Sequence, residues 1–313
     1  MAIFTGEINQ MELIFPINHI GKCNTDNNHP TLHPLVTVID FSKADPINWG
    51  NADTIKFTYG LYCIFLKDIK CGDLKYGCQY YDYQSGTLVF FAPGQVADYK
   101  NPGSPAQPQG YGLFFHPDLL LGTQLGKNIT QYKFFEYATN EALHLSDTER
   151  KMILDCFAKI EFELHQPTDK HSKKLISANI ELFLDYCQRF YDRQFITRDT
   201  ANRGVLEKFE TLLNQYFESG HPSSAGLPTV AYFAKALHLS ANYFGDLIKK
   251  ETGQSAKEYL LNKTMDVAKK VIFESNKTIT EIAFELGFKY PQHFTRLFKH
   301  QTGLTPNEYR HLN

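Results

Sequence analysis

The sequence predicts a multidomain α+β chain, with a strand-rich first region, a helical hairpin after it, and an all-α region at the end. Three observations carry this expectation. Short apolar and aromatic runs punctuated by Gly and Pro fill residues 35–116. The period becomes helical after Ser146, and the last part of the chain repeats itself. A chain of 313 residues has room for two domains, and 42% hydrophobic residues can bury a sizeable core.

The strand runs are LVTVIDF, YGLYCIFL, GTLVFFAP and YGLFF, rich in β-branched and aromatic residues. Gly86, Pro93-Gly94 and the stretch NPGSPAQPQG from Asn101 to Gly110 separate them. Many short strands at close spacing suggest a small β-barrel or sandwich. The aromatic residues Phe57, Tyr59, Tyr62, Phe65, Phe90 and Phe91 either form its core or line an apolar ligand pocket.

Two amphipathic helices follow. In the first, Ile153, Phe157, Ile160 and Leu164 make one stripe, and Ser146 with Glu149 forms a capping box. In the second, Ile176, Ile180, Phe183, Cys187 and Phe190 repeat the rhythm, and the loop around Pro167 makes the pair antiparallel. A further stripe, Leu175, Leu182 and Tyr186, faces either the core or a partner subunit. The polar run DRQFITRDTANRG, Asp192 to Gly204, reads as a linker. The expected division is 1–195 for the strand domain with its hairpin, 196–204 for the linker and 205–313 for the helical domain. A loop, SGHPSSAGLP, separates the first two helices of that last domain.

The repeat lies in this last domain. TVAYFAKALHL from Thr229 aligns with TITEIAFELGF from Thr278 at an offset of 49. After a one-residue insertion, SANYFGDLIKKETGQSAKEY from Ser240 aligns with YPQHFTRLFKHQTGLTPNEY from Tyr290 at an offset of 50. Each copy reads as a short helix, a tight turn and a second helix. In the second copy Thr278 and Glu281 cap the first helix, Ala283 is small where the helices cross, Gly287 supplies the turn, and Pro291 opens the next helix. Phe294, Leu297 and Phe298 face inward. Gln292, His293, Thr295, Arg296 and Lys299 then point outward. In the first copy Ser240 is the N-cap, Asn242, Tyr243, Gly245 and Asp246 point outward, and Lys249 and Lys250 follow. Ser255 to Asn276 forms one connecting helix, buried through Tyr259, Leu260, Met265, Ala268, Val271 and Ile272.

Outward Gln, Thr and Arg near a helix start suit hydrogen bonds to base edges in a major groove, and lysines suit phosphates. Two recognition helices on a rigid connector could enter adjacent major grooves of double-stranded DNA, roughly 34 Å apart. Asp246 would repel phosphate but could accept from a cytosine amine, so the second copy is expected to read more. Charge agrees in sign. From Thr229 onward there are 12 Lys+Arg against 8 Asp+Glu, whereas the rest of the chain carries 20 against 26.

At these residues the chain resembles the AraC/XylS family of transcription regulators. LSANYFGDLIKKETGQSAKEYL and IAFELGFKYPQHFTRLFKHQTGLTPNEYR are similar to that family's twin helix-turn-helix signature over about 205–313. The motif running from Gly287 to Gly303 is its most specific part. The resemblance maps base contacts onto Asn242, Tyr243, Gly245 and Asp246 and onto Gln292, His293, Thr295 and Arg296. At Gly245 and Asp246 relatives commonly carry long polar or basic side chains, and the segment Ser219 to Pro228 is longer than usual. GTLVFFAPGQV resembles, more weakly, the strand-turn element of the family's cupin-like barrel. The fold class implied is therefore an N-terminal cupin-like β-barrel with a helical hairpin, followed by two helix-turn-helix units.

The function implied is a cytoplasmic, homodimeric, sequence-specific regulator, in family habit an activator that works with RNA polymerase and answers to a small-molecule effector. The DNA-contacting set is Asn242, Tyr243, Lys249, Gln292, His293, Thr295, Arg296 and Lys299. No catalysis, cofactor or metal is expected. Ala97 and Asp98 stand where metal-binding cupins place histidines, and Tyr59, Tyr62 and Cys63 replace a His pair. A cupin enzyme would need to gather His19, His29, His33 and His116, which lack pair spacing. A third alternative is an N-terminal domain that only dimerises. The six cysteines, Cys23, Cys63, Cys71, Cys78, Cys156 and Cys187, show no metal or disulfide spacing and read as reduced thiols. Neither a secretion signal nor a membrane-length apolar run is expected.

Overall fold

The computed structural model describes residues 12–44, 54–67, 86–100, 109–138, 141–197 and 199–311. The chain divides into two compact units, Met1–Gln194 and Phe195–Asn313.

The first unit holds strands β1 (Glu12–Ile17), β2 (Val36–Asp40), β3 (Thr54–Tyr59), β4 (Tyr62–Lys67), β5 (Thr87–Phe91), β6 (Val96–Lys100), β7 (Gly110–Phe115) and β8 (Leu143–His144). Its helices are α1 (Ile20–Asp26), α2 (Gln124–Asn128), α3 (Asp147–Leu164) and α4, which begins at Ser172 and ends at Thr197. The strands make two sheets. One has the order β1-β3-β6, with β1 parallel to β3, and the other is antiparallel in the order β2-β7-β4-β5-β8. Among the described residues the two sheets do not join into a closed barrel. The core between them takes Tyr59 and Ala97 from the smaller sheet, Cys63, Val89, Phe91 and Phe114 from the larger, and Ile20 and Cys23 from α1. Tyr59 stacks on Phe91 with ring centroids 4.3 Å apart, and Phe65 meets Phe114 edge to face at 5.4 Å. The strand aromatics of this cluster are thus packed against one another. The NPGS…QG turn lies largely outside the described residues.

The hairpin follows its sequence pattern. The five inward residues of α4 and the four of α3 are buried. Ser146 accepts from the Glu149 amide while Glu149 accepts from the Ser146 amide, completing the capping box. Arg193 of α4 then donates to both oxygens of Glu149, at 2.9 and 2.8 Å, and to the His144 carbonyl at 2.7 Å. Gln194, almost wholly buried, satisfies edge strand β8 by accepting from the His144 amide and donating to the Ala142 carbonyl. The second stripe stays on the surface of the chain, with Leu175 at 44% and Leu182 at 39% exposed. Nearby, Asp155, Lys159, Phe162, Glu163 and Asn179 line a surface groove of about 630 Å³ between α3 and α4.

The second unit is helical: α5 (Asp199–Glu218), α6 (His221–Ala225), α7 (Val230–Ala236), α8 (Ala241–Thr252), α9 (Ala256–Glu274), α10 (Ile279–Glu285), α11 (Pro291–Thr302) and α12 (Pro306–Arg310). The polar run read as a linker carries the end of α4, at Thr197, and the start of α5, at Asp199. Polar residues mark exposure as readily as they mark irregular backbone. The segment read as a loop between the first helices contains α6, bracketed by Gly220 and Gly226 at positive φ, with Pro222 in its first turn.

No described helix is long and apolar enough to cross a membrane. Cys23, Cys63, Cys156 and Cys187 are buried and not disulfide-bonded, whereas Cys71 and Cys78 lie outside the described residues. Burial pushes the Cys23 thiol up to about 12, and it raises Cys63 and Cys187 as well.

Candidate nucleic-acid interface

Each copy of the repeat folds around its own aromatic cluster. In the first, Phe209 of α5 meets Phe233 and Phe244 edge to face at 5.3 and 5.0 Å. In the second, Phe294 and Phe298 pack at 5.7 Å and Phe298 meets Tyr309 at 5.4 Å. Ala234 and Ala283 are buried, as small residues at helix crossings would be.

The turns correspond bond for bond. The Leu239 amide donates to the Ala234 carbonyl at 2.9 Å, and the Phe288 amide donates to the Ala283 carbonyl at 2.9 Å. The residue before each donor is left-handed, His238 at φ 58 and Gly287 at φ 87. The ends of the second helices also match. Thr252 and Thr302 donate to the Ile248 and Phe298 carbonyls at 2.7 and 2.8 Å, and each is followed by a left-handed glycine cap, Gly253 or Gly303.

The helix starts are fixed by side chains. Ser240 caps α8 and Thr229 caps α7, while Ser255–Glu258, Thr278–Glu281 and Thr305–Glu308 form capping boxes on α9, α10 and α12. Hydrogen bonds from the cap residues hold the Glu258, Glu281 and Glu308 carboxyls below the ordinary glutamate value. Lys249 and Lys299 add a smaller push in the same direction on Glu258 and Glu308. Tyr290 begins α11 without a side-chain cap, and Pro291 takes the first turn.

Around α11 the apolar and polar faces separate. Phe294 and Phe298 are buried, whereas Gln292, His293, Arg296 and Lys299 are exposed. Gln292, Arg296 and Lys299 fall at helical spacing on one face. Thr295 is half-buried and its hydroxyl donates to the Pro291 carbonyl at 3.1 Å, which leaves the oxygen free to accept. Two further groups beside this face were not singled out from the sequence. Tyr290 is 60% exposed, with the Lys289 ammonium 5.8 Å from its ring centre, and His300 is exposed in the last turn. Both lie next to singled-out residues, and the i, i+4 spacing from Arg296 is the signal by which His300 could have been found.

The face of α8 is poorer. Lys249 and Lys250 are exposed, and Asn242, Gly245 and Asp246 are half-buried. Tyr243 does not point outward as expected. It is 6% exposed and packs against the Phe195 ring at 5.0 Å. Position in the repeat assigned it to the outer face, but Phe195 lies outside the repeat and covers it. Elsewhere in the unit, Lys277 pairs with Glu285 at 2.7 Å and Lys269 with Asp266 at 3.2 Å.

Among the described residues no His, Cys, Asp or Glu cluster is placed to hold a metal ion. His33 and His116 accept hydrogen bonds from the Leu35 and Asp118 amides two residues on, which is a turn-capping role. His19 is exposed and His29 half-buried.

A family model described as a helix-turn-helix domain matches residues 233–311. The chain is 34% identical over 82 residues to the uncharacterized HTH-type transcriptional regulator YobQ of Bacillus subtilis, a match covering 26% of this chain and 34% of YobQ. It is 25% identical over 227 residues to the uncharacterized HTH-type transcriptional regulator YijO of Escherichia coli, covering 72% of this chain and 76% of that one. It is 26% identical over 114 residues to the HTH-type transcriptional activator RhaR of Salmonella dublin, covering 36% and 38%. The chain thus spans about a third of the length of YobQ and RhaR and about three quarters of YijO.

Proposed function

Given that the C-terminal region of this chain belongs to the AraC-type helix-turn-helix family, we propose that the protein is a transcription regulator that binds double-stranded DNA sequence-specifically, placing α8 and α11 in adjacent major grooves. The observation that carries this reading is the exposed stripe Gln292, His293, Arg296 and Lys299 on a helix whose opposite face is locked into an aromatic core. A rigid helix offering a bidentate guanidinium and an amide suits base edges, and the flanking ammonium groups suit phosphates.

Gln292, His293, Thr295 and Arg296 are assigned to base reading, with Asn242 as the corresponding reader on α8. Lys249 and Lys299 are assigned to phosphates. Tyr243 is reassigned to packing. The extent of the binding domain, 205–313 behind a 196–204 junction, and of the sensing domain, 1–195, belongs to the same proposal.

The N-terminal unit, read as an open relative of a cupin-like barrel, would pair two subunits and bind a small-molecule effector in place of doing chemistry. Two-sheet packing of apolar strands supports a scaffold role. An effector controls DNA binding only if it prefers one arrangement of the units over another. Activation is favoured by the similarity to RhaR, whose name gives it as an activator, and action with RNA polymerase in the cytoplasm belongs to the same proposal.

The test is a selection from random-sequence duplexes with the full-length protein at low ionic strength. The reading expects enrichment of sites with two elements about one helical turn apart. Recovery of no preferred duplex from folded protein removes it.

A further inference from the structure

We infer that the segment from Tyr216 to Leu227 is a second brace between the two helix-turn-helix units, and that it is a specificity-determining positioning element that fixes the spacing at which α8 and α11 read DNA. The inference rests on the DNA-binding reading and adds to it a residue set remote from the reading faces.

The repeat supplies one connector, α9, between its copies. The second connection is made by residues that belong to neither copy. Tyr216, near the end of α5, is buried in the first helix-turn-helix copy, with its ring 5.7 Å from Phe233 and 5.1 Å from Tyr232. The next residue, Phe217, packs against the core of the second helix-turn-helix copy, which includes Ile282, Ala283, Phe288 and Phe294. The chain then turns at Gly220, runs through α6, and leaves at Gly226 with φ 89. There the Tyr216 hydroxyl donates to the Gly226 carbonyl at 2.9 Å, and Leu227 also enters the second core.

Gly226 meets the turn of the second helix-turn-helix copy backbone to backbone. A Cβ added at Gly287 would come within 2.6 Å of the Gly226 carbonyl oxygen and 2.7 Å of the Leu227 amide nitrogen. Gly287 is therefore required twice, by its left-handed φ and by this approach. The corresponding residue of the first copy is His238, exposed and with a side chain. The contact is thus a property of this insertion and is absent from the general repeat. A single helical rod lets two small units twist and bend about its ends. A second strut with one foot in each core blocks that motion unless Leu227 is withdrawn and the Gly226–Gly287 contact opens.

Spacing discrimination tests this directly. One duplex enriched by the full-length protein is remade with one or two base pairs inserted between its elements, and also with each element alone. Affinities are compared for the wild type, Leu227→Ala and Tyr216→Phe, with circular dichroism as the check on folding. Each inserted pair rotates one element by about 35° around the duplex, so the wild type should lose about tenfold or more. Leu227→Ala should lose less than about threefold on insertion while binding single elements like the wild type, and Tyr216→Phe, which removes only the hydroxyl, should fall between. A wild-type protein indifferent to spacing, or folded variants that keep the full wild-type penalty, would overturn the brace. If Leu227→Ala does not fold, Tyr216→Phe decides alone. Failure to enrich any duplex is a separate result and removes the DNA-binding reading beneath.

Discussion

His238 and Gly287 build the same left-handed turn in the two copies, and only one of them is glycine. A side chain in this region costs roughly 1–2 kcal/mol, partly offset by the extra backbone freedom that glycine gives the unfolded chain. His238→Gly should therefore stabilise the protein by about 0.5–1 kcal/mol, read as a raised denaturant midpoint at unchanged m-value. A lowered midpoint would mean that the imidazole makes contacts worth more than the strain. Arg296 is fully presented at the middle of α11, and Arg296→Ala should cost about 1–3 kcal/mol at a site where it pairs with guanine and relax preference at that one position. Equal affinity in a titration would remove it from the reading set. Most of the α11 face was legible because buried Phe294 and Phe298 set the helix phase. Tyr243 was not, because its cover, Phe195, is remote from the repeat and no local spacing encodes that contact.

At the level of single helices, the capping boxes were the most legible feature. Ser or Thr followed three residues later by Glu states its own hydrogen bonds, and all those singled out from the sequence formed. They also give the helical unit an acid dependence. Folded Glu258, Glu281 and Glu308 titrate below the ordinary value of 4.5 because their charged forms accept hydrogen bonds. Folding thus favours the ionised carboxyl. This stabilisation is present at pH values above about 4.5 and is lost as pH falls through that value toward the folded pKa. A variant with Gln at all three positions keeps the hydrogen-bonding shape and should show a shallower loss of helicity between about pH 5 and 3 by circular dichroism. An unchanged acid profile would assign the effect to other carboxylates. By contrast, α6 and the helix ends at Thr197 and Asp199 were not legible. A five-residue helix has no periodicity to detect, and a polar composition fits an exposed helix as well as a linker.

The whole chain is nearly neutral, with formal charge −2, but its charges are segregated. The cations placed around the reading helices, Lys249, Lys250, Lys289, Arg296 and Lys299, would release counterions on binding. If all of them meet phosphate or the groove, log affinity should fall with log salt at a slope of about −4 to −5, and Lys299→Ala should flatten it by about one on any duplex. A slope near zero would show that the lysines stay solvated. Strands β2, β4, β5 and β7 and the position of the helical hairpin were readable from period and punctuation, whereas β1, β3 and β6 of the smaller sheet were not named from the sequence. The pairing was not. The parallel partnership of β1 with β3 and the split into two sheets depend on registers between segments far apart in sequence, which alternation along a single strand cannot specify.

The burial of Tyr243 carries forward to the operators themselves. With that ring committed to Phe195, and with Gly245 contributing no side chain, α8 offers few groups capable of telling one base pair from another. Aligned binding sites should be lopsided, with the half under α11 nearly invariant and the half under α8 drifting freely as long as its phosphates stay in reach. Promoters could then tune occupancy by varying the tolerant half without losing the address written in the strict one.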